Sequence, residues 1–449
     1  MSNLKFFSTN GQSPGVDFRQ ALLAGQAPDK GLYMPERIPL IPPDKLAQLS
    51  EMSYREIAYQ LLKPYLGDLI PDEDFRPIVA DAYDYQVPVE KVYNRKYILR
   101  LDRGPTCSFK DFAARLMGRL MQYFLRLENE RIIILTATSG DTGSAVAHAF
   151  HGMENIKALV LFPEKEVTER QRRQMTTLGG NVRPLAVEGK FDDCQALVKQ
   201  AFADPDLQSL RLSSANSINV GRLLPQAVYY FYAFSRVARS GEAAVFSVPS
   251  GNFGDLMGGL IALRMGLPVH KFIAATNEND EFPRFMESGV YQPLRPSRNC
   301  ISNAMNVGHP SNLARVFSLY GGQMDETGRV SRQPDLKTMK EEIYAVSITD
   351  QETRRTIKDA YLRHGVLLEP HGAVGWAGLL RYLEECGDWS PCVSLETADP
   401  AKFPEEIVRL TGKSPALPPA MARLDQMEEH FERMGGDYRS LKEYLRGLG

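Results

Sequence analysis

"RIIILTATSGDTGSAVAHAF" (Arg131–Phe150) divides into three parts. An apolar run ends near Thr138, a turn of small residues follows (Ser139, Gly140, Asp141, Thr142, Gly143, Ser144), and apolar residues then resume at helical spacing. This strand–turn–helix unit recurs at "AAVFSVPSGNFGDLMGGLIALRMG" (Ala243–Gly266), where Gly251 and Gly254 bracket Asn252 and Phe253. Small residues at such a turn leave backbone N–H groups exposed beside the positive end of a helix dipole, so an anion can settle there. Neither turn follows the dinucleotide pattern GxGxxG or ends in the Gly-Lys-Ser/Thr of a P-loop.

Working outward, "IKALVLFP" precedes "KEVTERQRRQMTTLG", "NVRPLAVEG" precedes "FDDCQALVKQAFAD", and "YAVSI" precedes "TDQETRRTIKDAYLRHG". "KFIAATN" and "CVSLETA" are further strands, the latter before "PAKFPEEIVRLTG". Strands alternating with helices predict an α/β protein whose parallel sheets are covered on both faces. Residues 1 to about 85 are mixed, with "YMPERIPLIPPDK" as punctuation and "SYREIAYQLLKPYL" as a helix. The last stretch, from Met421, reads as helical, charged and peripheral.

At 449 residues the chain can bury a large core, in roughly two to four domains. Lys and Arg total 53 against 55 Asp and Glu, and a net charge of −2 offers no field for nucleic acid. The five cysteines form no CxxC, so neither a zinc site nor a disulfide framework is expected. There is no signal-peptide core and no apolar run of membrane-spanning length, which predicts a cytoplasmic enzyme that engages neither nucleic acid nor membrane.

"GPTCSFKDFAARLM" (Gly104–Met117) sets Lys110 between two phenylalanines at a helix start, with Ser108 and Asp111 spaced as an N-cap and its acidic partner. The helix dipole and the two phenyl rings would both depress the amine's pKa, and Schiff-base chemistry needs a neutral amine. Alone, this stretch reads better as a surface lysine. Two anion-ready turns shift the reading toward a cofactor with a phosphate tail and a carbonyl, which describes pyridoxal 5'-phosphate.

These residues resemble the threonine synthase family of fold type II pyridoxal-phosphate enzymes. The resemblance rests on "FFSTNGQSPGVDFRQALLAGQAPDKGLYMPERIP", "GPTCSFKDFAARLM", "TSGDTGSA", "SANSINVGRLLPQ", "SVPSGNFGDLMGGL", "AATNENDEFPRF", "NVGHPSN", "EPHGAVG" and "TADPAKF", in the family's order along the whole chain. It implies two parallel-sheet α/β domains with the cofactor between them and an N-terminal segment. The expected divisions are 1–85 (N-terminal segment), 86–240 (Schiff-base lysine and small domain), 241–410 (large domain with the phosphate loop) and 411–449 (helical extension).

The resemblance further implies that Lys110 holds the cofactor and shuttles protons, and that Gly251, Asn252, Phe253, Gly254 and Asp255 hold the cofactor phosphate. Asp255 serves through its place in the loop, because a carboxylate facing inward would repel that phosphate. Thr397 would meet the pyridine nitrogen and leave it largely unprotonated. Ser139, Gly140 and Thr142 would take the substrate carboxylate, with Asp141 near the cofactor hydroxyl. Asn216, Ser217, Asn219 and Arg222 would form the substrate-phosphate pocket, to which Lys402 either contributes or serves as a helix cap.

The implied reaction turns O-phospho-L-homoserine and water into L-threonine and phosphate by γ-elimination and β-addition of water, in a monomer or homodimer. A related phospho-lyase releasing a 2-oxo acid, ammonia and phosphate is the alternative. A nucleotide-binding oxidoreductase rests only on the generic junctions, and a non-catalytic relative is disfavoured by the intact lysine. Asn10, Asn306 and Asp399 depart from the family's arginine, aspartate and histidine; the first and third would loosen an anion or interdomain contact. His371 and His309 read as structural, Met117 and Met121 as core, Tyr229–Phe231 as a buried helix face, and Cys107 as buried and inert.

Overall fold

The computed structural model describes residues 4–448. Two sheets organise it. In the larger, the strand order is Ile343–Ser347, Val269–Thr276, Ala244–Pro249, Cys392–Glu396, Lys96–Arg100 and Val89–Tyr93, parallel except for the last pair. The smaller runs Glu432–Met434, Val182–Val187, Ile156–Pro163, Ile132–Ala137 and Leu212–Ser213, parallel throughout. Ile132–Ala137 and Ala244–Pro249 are buried at every position, as central parallel strands covered on both faces must be.

The anticipated strands and most anticipated helices form: Tyr54–Leu66, Asp141–Phe150, Phe191–Ala203, Gly254–Arg264 and Asp350–His364 among them. The structure departs from the sequence reading in three places. The expected division at residue 86 separates 86–240 from the large domain, yet the hairpin Val89–Tyr93/Lys96–Arg100 pairs with Cys392–Glu396 in the large sheet. The C-terminal stretch is not a helical periphery, since Glu432–Met434 adds a parallel edge strand to the small sheet before the helix Tyr438–Arg446. "EPHGAVG" opens a helix, where Glu369 caps Pro370–Cys386 by accepting from the His371 and Gly372 amides, at 2.8 Å each. Ser108 does not cap the lysine helix.

That helix, Lys110–Glu128, has Phe109 at its N-cap and no side-chain cap. The Asp111 carboxylate instead folds back onto Thr106, accepting from its amide (2.8 Å) and its hydroxyl (2.7 Å). Just before the helix, Phe109 N–H donates to Thr397 O (2.9 Å) and Asp399 N–H donates to Cys107 O (3.1 Å). These two backbone bonds set Lys110 beside Thr397. The segments holding Lys110, Ser139–Thr142, Gly251–Asp255 and Thr397–Lys402 each follow the carboxyl end of a strand, where open α/β sheets take their ligands. No helix among the described residues is long and apolar enough to cross a membrane.

Candidate active site

The Lys110 side chain has neither a hydrogen bond nor a counter-ion within bonding distance among the described residues; its Nζ lies 4.7 Å from the centroid of the Phe109 ring. Burial draws its pKa below the ordinary lysine value, and the nearby charges of Lys402 and Arg222 push the same way. Asp141 and Glu369 oppose them. Thr397 is buried, and its hydroxyl donates to Glu369 Oε1 at 3.3 Å. Its single proton thus lies toward Glu369, which leaves the oxygen's lone pairs for any group placed against Thr397.

The turn after Ile132–Ala137 is partly filled by its own chain. Thr138 Oγ1 accepts from the amides of Gly140 (2.9 Å) and Gly143 (2.7 Å), so the amides left unpartnered among the described residues are those of Ser139, Asp141 and Thr142. Gly140 has φ +142, and a Cβ there would stand 2.5 Å from Gln171 Cδ, so only glycine fits. Asp141 Oδ1 accepts from Lys402 Nζ (2.9 Å) and Gln171 Nε2 (3.0 Å). Burial would raise the Asp141 pKa, but Lys402 and Lys110 overcome it and hold the carboxyl well below the usual range. Lys402 is only 1 % exposed. Burial opposes its charge too, and Asp141 outweighs it, raising its pKa.

The turn after Ala244–Pro249 is open by comparison. The helix Gly254–Arg264 has Phe253 at its N-cap, in the left-handed region at φ +59, and no side chain caps it. A Cβ on Gly251 would lie 2.8 Å from Met305 Cα, so glycine is what lets this loop rest against residues 304–305. Asn252 is held on three sides. Its Nδ2 donates to Ser217 Oγ (2.6 Å), its Oδ1 accepts from Ser311 N (2.6 Å), and its carbonyl accepts from Asn312 Nδ2 (3.0 Å). The Asp255 side chain points away into the core, accepting from Tyr229 OH (2.5 Å) and Tyr230 OH (2.7 Å). Burial pushes its pKa up to about 6 even against those two donors. Asp255 can therefore serve a phosphate only through its amide.

Arg222 is 4 % exposed and donates from Nη1 to Ala215 O at 2.7 Å. Its buried Nε has no partner, and no carboxylate lies within 4 Å of the guanidinium among the described residues. Burial lowers its pKa to about 10, so it stays charged. An uncapped glycine turn and a buried, unpaired amine match the two ends of pyridoxal phosphate, and a second unpaired cation remains for another anion.

The chain matches the family model described as "Pyridoxal-phosphate dependent enzyme" over residues 88–397. It also matches "Threonine synthase N terminus" over 5–83 and "Threonine synthase, C-terminal" over 372–445. The chain belongs to the threonine synthase family. The threonine synthase of Pseudomonas aeruginosa is 38 % identical, covering 95 % of this chain and 94 % of its own. A PLP-bound threonine synthase from Brucella melitensis superposes with a TM-score of 0.92 at 38 % identity, covering 99 % of each chain. The Escherichia coli threonine synthase structure gives 0.88 at 35 % identity, covering 99 % of this chain and 100 % of its own. Like the family, this chain is a PLP-dependent lyase of fold type II.

Among the residues expected from the threonine synthase resemblance, Lys110 and Thr397 come together, as do Ser217 and Asn252. Asn219 does not join a phosphate pocket. It is fully buried, caps the short helix Val220–Leu223 by accepting from Gly221 N (2.9 Å), and donates to Leu22 O and Ser214 O, so no polar atom is left for a ligand. Asn216 keeps a buried Oδ1 with no partner. Lys402 is no helix cap, since its ammonium is spent on Asp141. The three departures are absorbed locally: Asn10 donates to Asp29 O, Asn306 accepts from Asn277 Nδ2, and Asp399 accepts from Ala401 N. His371 accepts from Ala304 N at 3.1 Å, with its Nδ1 on Glu369, and His309 bonds Tyr291 OH, both structural roles.

Two features of the site are not apparent from sequence. Lys402 and Asp141 are 261 residues apart, and nothing local pairs them. Glu369 opens the "EPHGAVG" stretch as the N-cap of a helix, but nothing in that stretch points it at Thr397.

Proposed function

We propose that the chain converts O-phospho-L-homoserine and water into L-threonine and phosphate where the carboxyl ends of its two sheets meet. The observation that carries this is Arg222, a buried guanidinium with one carbonyl partner and no carboxylate, close enough to Lys110 to depress its pKa. A phosphate monoester on a small amino acid supplies the charge such a group lacks.

Pyridoxal phosphate, when bound, supplies an aldehyde that takes the substrate amine and a ring that accepts the electron pair released at Cα. Lys110 Nζ, whose proton is loosened by burial and by its cationic neighbours, removes the Cα proton and later returns it. The open amides of Ser139, Asp141 and Thr142 receive the substrate carboxylate. Lys402 keeps Asp141 ionised and still, so that the carboxylate accepts rather than donates near the cofactor hydroxyl. The amides of Gly251 to Asp255 hold the cofactor phosphate without interference from Asp255, whose carboxyl is turned to two tyrosines. Arg222, Asn216 and Ser217 hold the leaving phosphate, and phosphate retained there is the base for the water that adds at Cβ.

Incubation with O-phosphohomoserine should yield phosphate and threonine in equal amounts. If 2-oxobutyrate and ammonia were the main products, water addition would be excluded and the activity would be that of a phospho-lyase.

A further inference from the structure

A second buried arginine lies behind both phosphate-holding segments. Arg315, in the helix Leu313–Leu319, is 0 % exposed. Its Nε donates to Tyr33 O (3.2 Å), its Nη1 to Ser217 O (2.8 Å) and Asn312 Oδ1 (2.7 Å), and its Nη2 to Ile218 O (2.5 Å). Every acceptor is neutral, and no carboxylate pairs with it among the described residues. Only burial acts on its pKa, lowering it to about 9, so the group is charged at neutral pH. A guanidinium enclosed this way retains an uncompensated positive charge, which is costly unless an anion comes near it.

Its partners show where that anion would be. Ser217 and Asn312 are also the residues that grip Asn252. Asn252 Nδ2 and Asn312 Nδ2 both donate to Ser217 Oγ, at 2.6 and 3.2 Å, and Asn312 Nδ2 donates to Asn252 O at 3.0 Å. The first residue of the phosphate-loop helix packs on the same pair, for a Cβ on Gly254 would lie 3.3 Å from Ser217 Cβ and 3.4 Å from Asn312 Nδ2. Arg315 therefore holds the 216–218 turn by its carbonyls and the 251–254 loop through Asn312, and it ties both to the N-terminal segment at Tyr33.

We infer that Arg315 is a positioning residue shared by the two phosphate pockets, its buried charge balanced by ligand phosphate and its fork locking the two loops together. The inference rests on the reading of those pockets given under the proposed function. A charge of this kind favours a ligand's phosphate and is indifferent to its ring, which separates it from a merely structural arginine.

The test titrates the full-length chain, freed of cofactor, with pyridoxal phosphate and with pyridoxal, which lacks the phosphate. Schiff-base absorbance is read in wild type, Arg315→Met and Arg315→Lys. Arg315→Met should weaken pyridoxal phosphate at least tenfold while changing pyridoxal less than threefold, and should raise KM for O-phosphohomoserine at least tenfold. Arg315→Lys keeps the charge and loses the fork, so its preference for the phosphorylated form should stay within threefold of wild type; it also carries the test if the methionine variant does not fold. Equal weakening of both aldehydes, or an unchanged preference in Arg315→Met, would overturn the inference, as would loss of the preference in Arg315→Lys. Failure of the site reading itself would show differently, as a wild-type chain that forms no Schiff base with either compound.

Discussion

The two strand–turn–helix junctions carry the same kinds of residue and treat them in opposite ways. Each places an aspartate in the first helical turn, Asp141 in the small sheet and Asp255 in the large one. Asp141 meets a buried lysine and a glutamine and is held ionised. Asp255 meets two phenols and no cation within bonding distance, and its pKa rises to about 6. The amides differ as well. Thr138 occupies two of them in the first turn, whereas the helix of the second turn has no side-chain cap. On the reading proposed above, the turn for a phosphate dianion keeps its amides open and its carboxylate out of the way. A turn meant for a monovalent carboxylate can spend some amides on itself. The sequence pattern alone does not distinguish the two, because what differs is the partner each aspartate finds across the fold.

The largest test of this contrast is a pair of carboxamides. Asp141→Asn leaves Lys402 charged and unpaired in the core and should cost about 3–5 kcal/mol of stability. Asp255→Asn retains an acceptor for the phenols and sheds a buried charge, so it should lose no stability at pH 7. Urea unfolding of the two variants measures both, and equal losses would erase the distinction.

The pH dependence sharpens it, because the two groups have opposite signs. The folded pKa of Asp255 lies above its unfolded value of 3.8, so the native state holds that proton more tightly. Its contribution is greatest below about pH 4 and is lost as pH rises through about 6, by up to about 3 kcal/mol. Asp141 has a lowered pKa, so its contribution is present above the unfolded value and lost as pH falls below it. Melting curves from pH 3 to 8 should show wild type losing ground to Asp255→Asn as pH rises, and losing its advantage over Asp141→Asn as pH falls.

Thr138→Val orphans the Gly140 and Gly143 amides and should cost about 1–3 kcal/mol. Because the damage is confined to the first turn, KM for the substrate should rise while affinity for pyridoxal phosphate stays within twofold. A matching loss of cofactor affinity would show that the two turns do not divide the work as described.

What sequence made legible was local. Glycine-marked turns after apolar runs announce themselves within a dozen residues, whereas Lys110, which alone reads as a surface lysine, and Arg222 gain their roles only from the resemblance along the whole chain. The cap assigned to Ser108 failed because Thr106 competes for Asp111 through a backbone reversal that spacing does not reveal. Asn219 looked like a ligand-binding side chain because its type and place fit a pocket. It is instead consumed by Ser214, Gly221 and Leu22, the last contributed by the N-terminal segment. Glu369, Arg315 and the pairing of Lys402 with Asp141 escaped for a common reason: each role comes from a partner contributed by a distant segment, and burial of a charge is a property of the fold.

Borohydride reduction of the cofactor-loaded protein, followed by proteolysis and mass mapping, tests the central claim most directly, since two buried lysines sit within one electrostatic neighbourhood. The pyridoxyl group should be found on the peptide containing Lys110, and the Lys110→Ala variant should carry none. Label on the peptide containing Lys402, or on no peptide of the wild-type chain, would contradict the account.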